Sequence, residues 1–437
     1  MTLGSGDFPT DRHGWAELLG ERRPSPPLRG AHRVAWAVIG AGVTGLASAR
    51  RLAELHPDHE IMLLEARLVG QGASGRNSGF AVAISHFDGG LEAGEMANYR
   101  RVNRINRAGL DLLRERVASA GIDCQWREDG FHHAAADQSA IAACGKFLRY
   151  LEAMEIAHTV LDGEALAARL GTRLYRTGVH VHQGALLQPA ALVRGLADSL
   201  PANVRLHERS PVVGIETGAP LTLRLPDGEI RADRLLLAVN HEAAKLGYLN
   251  RYLVGSTLSG SFTRRLSDDE LAGLGSLAEW GILSLHGGGA TLRLTADARI
   301  CLRNAAEYNG AALLSEVQLA RRQSIHRAGF EQRFPQLAHV PFDYAWSGVE
   351  GISRNGANFF GRQGSNIYLA GGYNGSGVTR GTAFGAALAE YSSGGESALI
   401  GDCLASPSGA WIPPRPFLDI GARLTVASRF RGVGLDR

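Results

Sequence analysis

The chain has 437 residues and a formal net charge of +3, its 46 lysines and arginines nearly balanced by 43 aspartates and glutamates. That length allows two sizeable cores, at roughly 100–200 residues per domain, and the charge balance offers no broad basic surface for nucleic acid. Four scattered cysteines lack any metal-ligand spacing and read as reduced thiols of a cytoplasmic protein. The opening MTLGSGDFPTDRHGW has no apolar core and does not read as a secretory leader, and no apolar run reaches the roughly 18 residues of a membrane helix.

Glycine is abundant, 56 residues in all, or about 13% where ~7% is usual. Much of it lies near residues 40–90 and 348–385, a clustering that suggests backbone held close to a ligand. In chain order, residues 1–32 form a polar, proline-bearing arm. RVAWAVIG (33–40) predicts a buried strand, VTGLASARRLAELH a helix and EIMLLEA a second strand. The right-handed crossover makes the two strands parallel. Between strand and helix, Gly40, Gly42 and Gly45 stand at G-x-G-x-x-G spacing. The first permits a tight turn, the second lets backbone approach a pyrophosphate, and the third lets helix and strand pack closely. Val43 and Thr44 open the helix, whose free N–H groups favour phosphate. Glu65 ends the second strand, where an acid bonds ribose hydroxyls, with Ala66 and Arg67 beside it. The acid disfavours a 2′-phosphate, so the motif points to FAD or NAD.

Further along, residues 95–121 read as a helix, DGFHHAAA as a strand, SAIAACGKFLRYLEAME as a helix and QPAALVRGLADSL (188–200) as another. NVRLHERSPVVGIE, LTLRLPDGEI and RADRLLLAVNH read as strands, the middle one a hairpin at its Pro-Asp-Gly turn. ATLRLTADARICLR predicts strand and LLSEVQLARRQSIHRAGF helix. NIYLAGGYNGSGVTRGTAFGAALAEYSS repeats the opening theme of strand, glycine-rich turn and helix.

A second phrase, GASGRNSG, follows Glu65 closely. With ALLQPAALVRGLA, ADRLLLAVNHEA, FPQLAHVPFDYAWSGVEGISRNGANFFGR, NIYLAGGYNGSGVTRG and PPRPFLDIGARL, it resembles the flavin-dependent amine and amino-acid oxidases of the D-amino-acid-oxidase superfamily, in the gamma-glutamylputrescine oxidase branch. The resemblance covers nearly the whole chain. It implies an α/β fold, with a Rossmann-like FAD-binding domain of glutathione-reductase type interleaved with an antiparallel-sheet α+β substrate domain. The FAD domain is expected over 1–90, 180–245 and 345–437, and the substrate domain over 91–179 and 246–344. It also implies noncovalent FAD, along which Gly72, Ala73, Ser74, Arg76, Asn77 and Ser78 would run. Val212 would hold adenine. Gly348, Gly372, Asn374, Gly375, Ser376, Gly377, Val378 and Thr379 would surround the flavin, the last five opening a helix aimed at its N1–C2=O edge, where the reduced ring carries negative charge.

Two departures from the family pattern bear on the substrate. Glycine-oxidase-like members hold a substrate carboxylate with an arginine after W-x-G, whereas here Trp346, Ser347 and Gly348 lead to Glu350, an acid suited to a substrate ammonium. No cysteine lies between Cys301 and Cys403, and Lys245 does not match the oxygen-activating lysine of sarcosine-oxidase-like members, so the electron acceptor, oxygen or another, stays open. His86 and His241 are further candidate active-site groups, and Arg293, Arg303, Arg354 and Arg380 are candidate partners for an acidic substrate group. The expected reaction on a small-molecule amine is hydride transfer from the carbon beside a neutral amine to flavin N5, followed by imine hydrolysis. A nicotinamide enzyme would leave both later glycine phrases without a purpose. A flavin-binding subunit serving structure or electron relay is the alternative from another class.

Overall fold

The computed structural model describes residues 13–275, 278–286 and 288–436. The first twelve residues of the expected N-terminal arm lie outside it. The described residues form two eight-stranded sheets and a two-stranded one. In the first sheet the order is Phe359–Arg362, Ile367–Gly371, Gly228–Leu237, Gly30–Ile39, Ile61–Leu64, Val204–His207. Its central pairings are all parallel, as the opening β-α-β pattern requires. Parallel strands are covered on both faces and read as continuous apolar runs. Ile61–Leu64 and Ile367–Gly371 are buried throughout. The two-residue period divides these side chains between two cores: Trp36, Val38 and Leu63 pack under the helices, while Ala37, Ile39 and Leu64 pack on the other face with Leu221 and Leu223.

The second sheet runs Phe342–Ser353, Leu253–Thr263, Ile300–Glu307, Thr291–Leu294, Trp280–Ser284, Phe131–Ala135, Thr177–Val181, His158–Asp162. It is antiparallel except where Trp280–Ser284 meets Phe131–Ala135. The helix Glu316–Arg333 covers one face through Phe330, with Phe334 just past its end.

Several sequence expectations shift. NVRLHERSPVVGIE is two strands, Val204–His207 and Gly214–Glu216, because Ser210–Val212 leaves the sheet to run past Glu65. The expected hairpin forms between Leu221–Leu225 and Gly228–Leu237, but its second arm continues through RADRLLL as one strand. NHEA is a 3-10 turn, Asn240–Leu246. The boundary expected at residue 345 falls inside Phe342–Ser353, whose partner throughout is Leu253–Thr263 of the second sheet. Ala93–Ala120, expected with the substrate domain, buries Ile105, Leu110 and Leu113 in the first domain's core. The helix Phe417–Arg431 and the tail after it lie against the second sheet, not the first.

Candidate active site

Both glycine-rich turns come to one place because their helices cross at small residues. A Cβ on Gly381 would stand 2.7 Å from Thr44 Oγ1, and one on Gly385 2.2 Å from the Thr44 carbonyl oxygen. Ser48 Oγ donates to the Gly385 carbonyl at 2.9 Å, and Thr44 Oγ1 and the Tyr373 hydroxyl share a hydrogen bond at 2.8 Å. Val43–Leu55 and Gly377–Ser392 therefore present their N-termini side by side.

The first loop is built for close approach. Gly40 has φ +99°, a conformation that favours glycine, and a Cβ on Gly45 would lie 1.7 Å from the Gly40 carbonyl oxygen. At Gly42 a Cβ would reach Ser74 Oγ at 2.8 Å, and that hydroxyl accepts from Val43 N–H at 3.1 Å, locking the two glycine phrases together. The Glu65 carboxylate accepts from Ala41 N–H at 2.9 Å and Arg67 N–H at 3.0 Å. Burial pushes its pKa up and these N–H groups oppose the shift. Its backbone continues the edge: Ser210 N–H donates to Glu65 O and Arg209 N–H to Arg67 O, so Val212 follows a segment running beside Glu65, Ala66 and Arg67.

GASGRNSG forms the short helix Ala73–Arg76 preceded by Gly72 in extended conformation. Asn77 Nδ2 donates to the Ser74 carbonyl at 2.7 Å, and Gly79 N–H donates back to Asn77 Oδ1 at 2.9 Å, which closes the turn around Ser78. Arg76 is not a surface residue. Its guanidinium is buried and donates to the carbonyls of Gln71 and Ser347, each at 2.8 Å, while its own carbonyl accepts from Trp346 Nε1 at 3.0 Å. It ties the loop to the second sheet, with Gly348 leaving room beside it: a Cβ there would sit 3.4 Å from Arg76 Cβ.

The C-terminal turn has left-handed backbone at Gly372, Asn374 and Gly375. Asn374 Nδ2 donates to the Gly372 carbonyl at 2.8 Å and Gly372 N–H to Asn240 Oδ1 at 2.9 Å. Ser376 precedes the Gly377–Ser392 helix and makes no side-chain cap. Gly377 is partly exposed at the helix start, whereas Val378 and Thr379 are buried, and the Thr379 hydroxyl donates to the Val82 carbonyl at 2.8 Å. Three closely set N-termini, a cradle that single Cβ atoms would fill and an acid at the strand end fit the phosphates, ribose and ring edge of a flavin dinucleotide. Sequence reasoning missed Asn240 and Tyr373, which brace the two loops. Their only sequence signal is position, one after a strand and one within a glycine run.

Opposite this cradle, Tyr344, Trp346, Gly348 and Glu350 share one face of their strand by the two-residue period, and Trp346 packs on Phe262 at 4.9 Å between ring centroids. Glu350 Oε2 lies 3.6 Å from the position of a Cβ on Gly375. It therefore sits at the mouth of the C-terminal helix. Burial pushes its pKa up, and Arg303 and then Arg429 pull it back. His86 keeps an exposed surface although the atoms crowded around it hold its pKa below the usual value; Asp88 opposes that fall, and Arg429 and Arg380 add to it. Arg303 and Glu350 have the same character, half-exposed yet shifted first by burial.

The other candidates have these surroundings. Arg293 is fully buried, donates to the carbonyls of Gly79 and Leu187, pairs with Glu279 at 3.1 Å and lies under the Trp15 ring. Arg380 donates to Asn106 Oδ1 and the Tyr373 carbonyl. Arg354 is on the surface and His241 lies beside Glu242 at 3.5 Å. Among the described residues no group of three or more metal-ligating side chains forms, and no helix is long and apolar enough to cross a membrane. The four cysteines are free and buried.

A parallel sheet with two glycine-rich loops at one end, facing an antiparallel sheet that carries an acid, defines a flavin-dependent oxidoreductase. The family model of FAD-dependent oxidoreductases designated DAO matches residues 35–391, and the chain belongs to that family, whose cofactor is FAD. It is 28% identical to gamma-glutamylputrescine oxidoreductase of Escherichia coli K12, over 87% of each chain. Its fold is that of glycine oxidase from Geobacillus kaustophilus (TM-score 0.67, 19% identity, 84% of this chain and 96% of that one) and of L-proline dehydrogenase from P. horikoshii (TM-score 0.68, 17% identity, 84% and 96%).

Proposed function

We propose that this oxidoreductase acts on the C–N bond of an amine or amino-acid-like small molecule, with noncovalent FAD. The observation that carries the reading is Glu350 at the mouth of the flavin-facing helix, where a carboxylate suits an amine rather than a carboxylate substrate. FAD, when bound, supplies the hydride acceptor; the chain's residues position the substrate and manage its proton. An amine must be neutral before its neighbouring carbon gives up hydride. The Glu350 carboxylate attracts the arriving ammonium, and the pKa rise that burial gives it makes it a better acceptor of that proton. Trp346 and Phe262, buried together with Trp15, form a rigid backing for the strand that carries Glu350. Noncovalent attachment is supported by the cysteines. Cys301, the one in the second sheet, is pushed up to about 12 by burial, so its thiolate is scarce at neutral pH.

The purified protein is expected to be yellow and to bleach anaerobically with an amine. A protein that holds flavin but bleaches with none of a broad amine panel would favour the electron-relay alternative. Glu350→Gln should raise KM about tenfold or more, the value of a charge-assisted bond, with flavin content and folding unchanged. Equal KM in the two proteins returns Glu350 to a structural role.

A further inference from the structure

The C-terminal segment lies beyond the matched family region, residues 35–391. From Ala405 to Leu435 it holds four arginines, Arg415, Arg423, Arg429 and Arg431, against one acid, Asp419, so the chain's whole net charge of +3 resides there. Apolar side chains stand out in the same stretch. Of the twelve large apolar residues exposed among the described ones, five lie here: Trp411, Phe417, Ile420, Leu424 and Leu435.

This is not a loose tail. Ile412 N–H donates to the Arg251 carbonyl, and Asp419 accepts from the Tyr308 hydroxyl at 2.7 Å, which holds the start of the helix Phe417–Arg431. Beyond its end Asp436 is buried, accepts from Arg333 Nη2 at 2.7 Å, and gives its carbonyl to Ala290 N–H at 2.9 Å. The anchors fix which side of the helix looks outward. Its inner side, Val426, Ala427 and Phe430, lines a cleft of about 450 Å³ over Asn304–Asn309. Phe417, Ile420 and Leu424, spaced i, i+3 and i+7, form a stripe on another side. Leu424 and Val426 stand about 160° apart at 100° per residue. Turning the stripe inward would only expose Val426 and Phe430, so no rotation of the helix hides both sets.

Three arginines border the stripe. Arg431 continues it seven residues past Leu424, and Arg423 and Arg429 stand on either side. None of the three makes an ion pair with a described residue, whereas the lone acid, Asp419, is bonded to Tyr308 and paired with Arg415 at 3.3 Å. An occupant of this face must offer apolar depth and negative charge together. A second copy of the chain does not: in a two-fold interface the patch meets itself, and arginine would face arginine with no free acid between them. The stripe is also the outer side of a helix that buries none of its residues, a shape that enters its partner rather than receiving one. A bilayer surface with anionic headgroups supplies both requirements.

We propose that the helix Phe417–Arg431 is a membrane-surface anchor. It lies flat on an anionic bilayer, with Phe417, Ile420 and Leu424 in the headgroup boundary and Arg423, Arg429 and Arg431 against lipid phosphates. The exposed Trp411 suits the same interfacial depth. No helix among the described residues is long and apolar enough to span the membrane, so the attachment is peripheral. Anionic lipid coats the cytoplasmic leaflet, a side that suits four free cysteines.

The test sediments the FAD-loaded full chain with vesicles of phosphatidylcholine, alone or mixed with phosphatidylglycerol, at rising lipid concentration. Wild type should bind the mixed vesicles at least tenfold more tightly than the neutral ones, and added salt should weaken that binding. Arg423→Gln with Arg431→Gln should lose most of the difference between the two vesicles. Phe417→Ser with Leu424→Ser should cut binding to the mixed vesicles at least tenfold. These side chains are exposed, so both double variants should keep the wild-type Tm and flavin content. Binding to neither vesicle, equal binding to both, or binding unchanged in the two double variants overturns the inference. So does a wild type that ignores vesicles but sediments as a dimer, and becomes a monomer in Phe417→Ser with Leu424→Ser, since a second copy would then be the occupant.

Discussion

The two faces of the site are made of different materials. The cofactor face is backbone: turns at Gly40, Gly372 and Gly375, uncapped helix N-termini, and one acid braced by two N–H groups. The substrate face is a sheet whose backbone is satisfied by its neighbours, so everything it offers is side chain: Glu350, Arg303 and His86. A backbone site demands residues that few others can replace, because a Cβ or a lost turn destroys it. A side-chain site on a regular sheet can exchange arginine for glutamate without disturbing the fold. One face is therefore rigid in chemistry and the other free to vary.

The largest expected effect tests the rigid face. Gly45→Ala would put a Cβ 1.7 Å from the Gly40 carbonyl, and backbone on both sides cannot yield. FAD content after purification should fall to nearly nothing, whereas Glu350→Gln keeps it. A Gly45→Ala protein with full flavin occupancy would remove the distinction. Glu65→Ala is milder. It removes a charged acceptor for ribose hydroxyls, worth about 1.5–3 kcal/mol per bond, so the dissociation constant for FAD should rise about ten- to a hundredfold by fluorescence titration. Unchanged flavin retention after dialysis would count against Glu65 as the ribose ligand.

Acid should separate the faces in another way. Burial pushes His132 and His326 of the second domain down to about 4, and His133 to about 3, against an ordinary 6.5. The unfolded chain binds these protons and the folded one refuses them. Their neutral forms contribute stability that is fully present above pH 6.5 and drains as pH falls towards 4, by up to about 1.4 kcal/mol per pH unit for each group. Hydrogen exchange at pH 7 and pH 5, corrected for intrinsic rates, should show the second sheet losing protection while Gly30–Ile39 and Gly228–Leu237 hold theirs. Parallel loss in both sheets would refute this.

The difference also explains what the sequence disclosed. Gly40, Gly42, Gly45 and Glu65 were legible because their spacing is dictated by one geometry, and a β-α-β unit of that length has few ways to fold. The resemblance around GASGRNSG and NGSGVTRG pointed to the two other loops that the structure brings beside the first. For Arg76 the motif suggested a cofactor contact, and only tertiary structure shows the guanidinium also bonded to two carbonyls. The second sheet was harder. Phe342–Ser353 twists past two glycines, Gly348 and Gly351, that blur its alternation, and its partner Leu253–Thr263 lies some ninety positions earlier.

The smallest effect is expected where the faces join. Trp346 Nε1 donates to the Arg76 carbonyl at 3.0 Å while Arg76 Nη1 donates to the Ser347 carbonyl at 2.8 Å, so a reciprocal pair of bonds sets the flavin loop against the substrate sheet. Trp346→Phe keeps an aromatic ring against Phe262 and removes one bond, leaving the Arg76 carbonyl without that donor. The net cost should be about 0.5–1.5 kcal/mol, a Tm lower by roughly 2–5 °C for domains of this size. Because the loop belongs to the cofactor face and the strand to the substrate face, the loosened joint should weaken both together: FAD binding and the KM for the best amine should each change by a few-fold, in step. Differential scanning fluorimetry and flavin titration on the same preparation measure this. A change in KM with FAD binding untouched would mean that the pair holds only the sheet, and that the two faces are set against each other elsewhere, through Trp15 and Arg293.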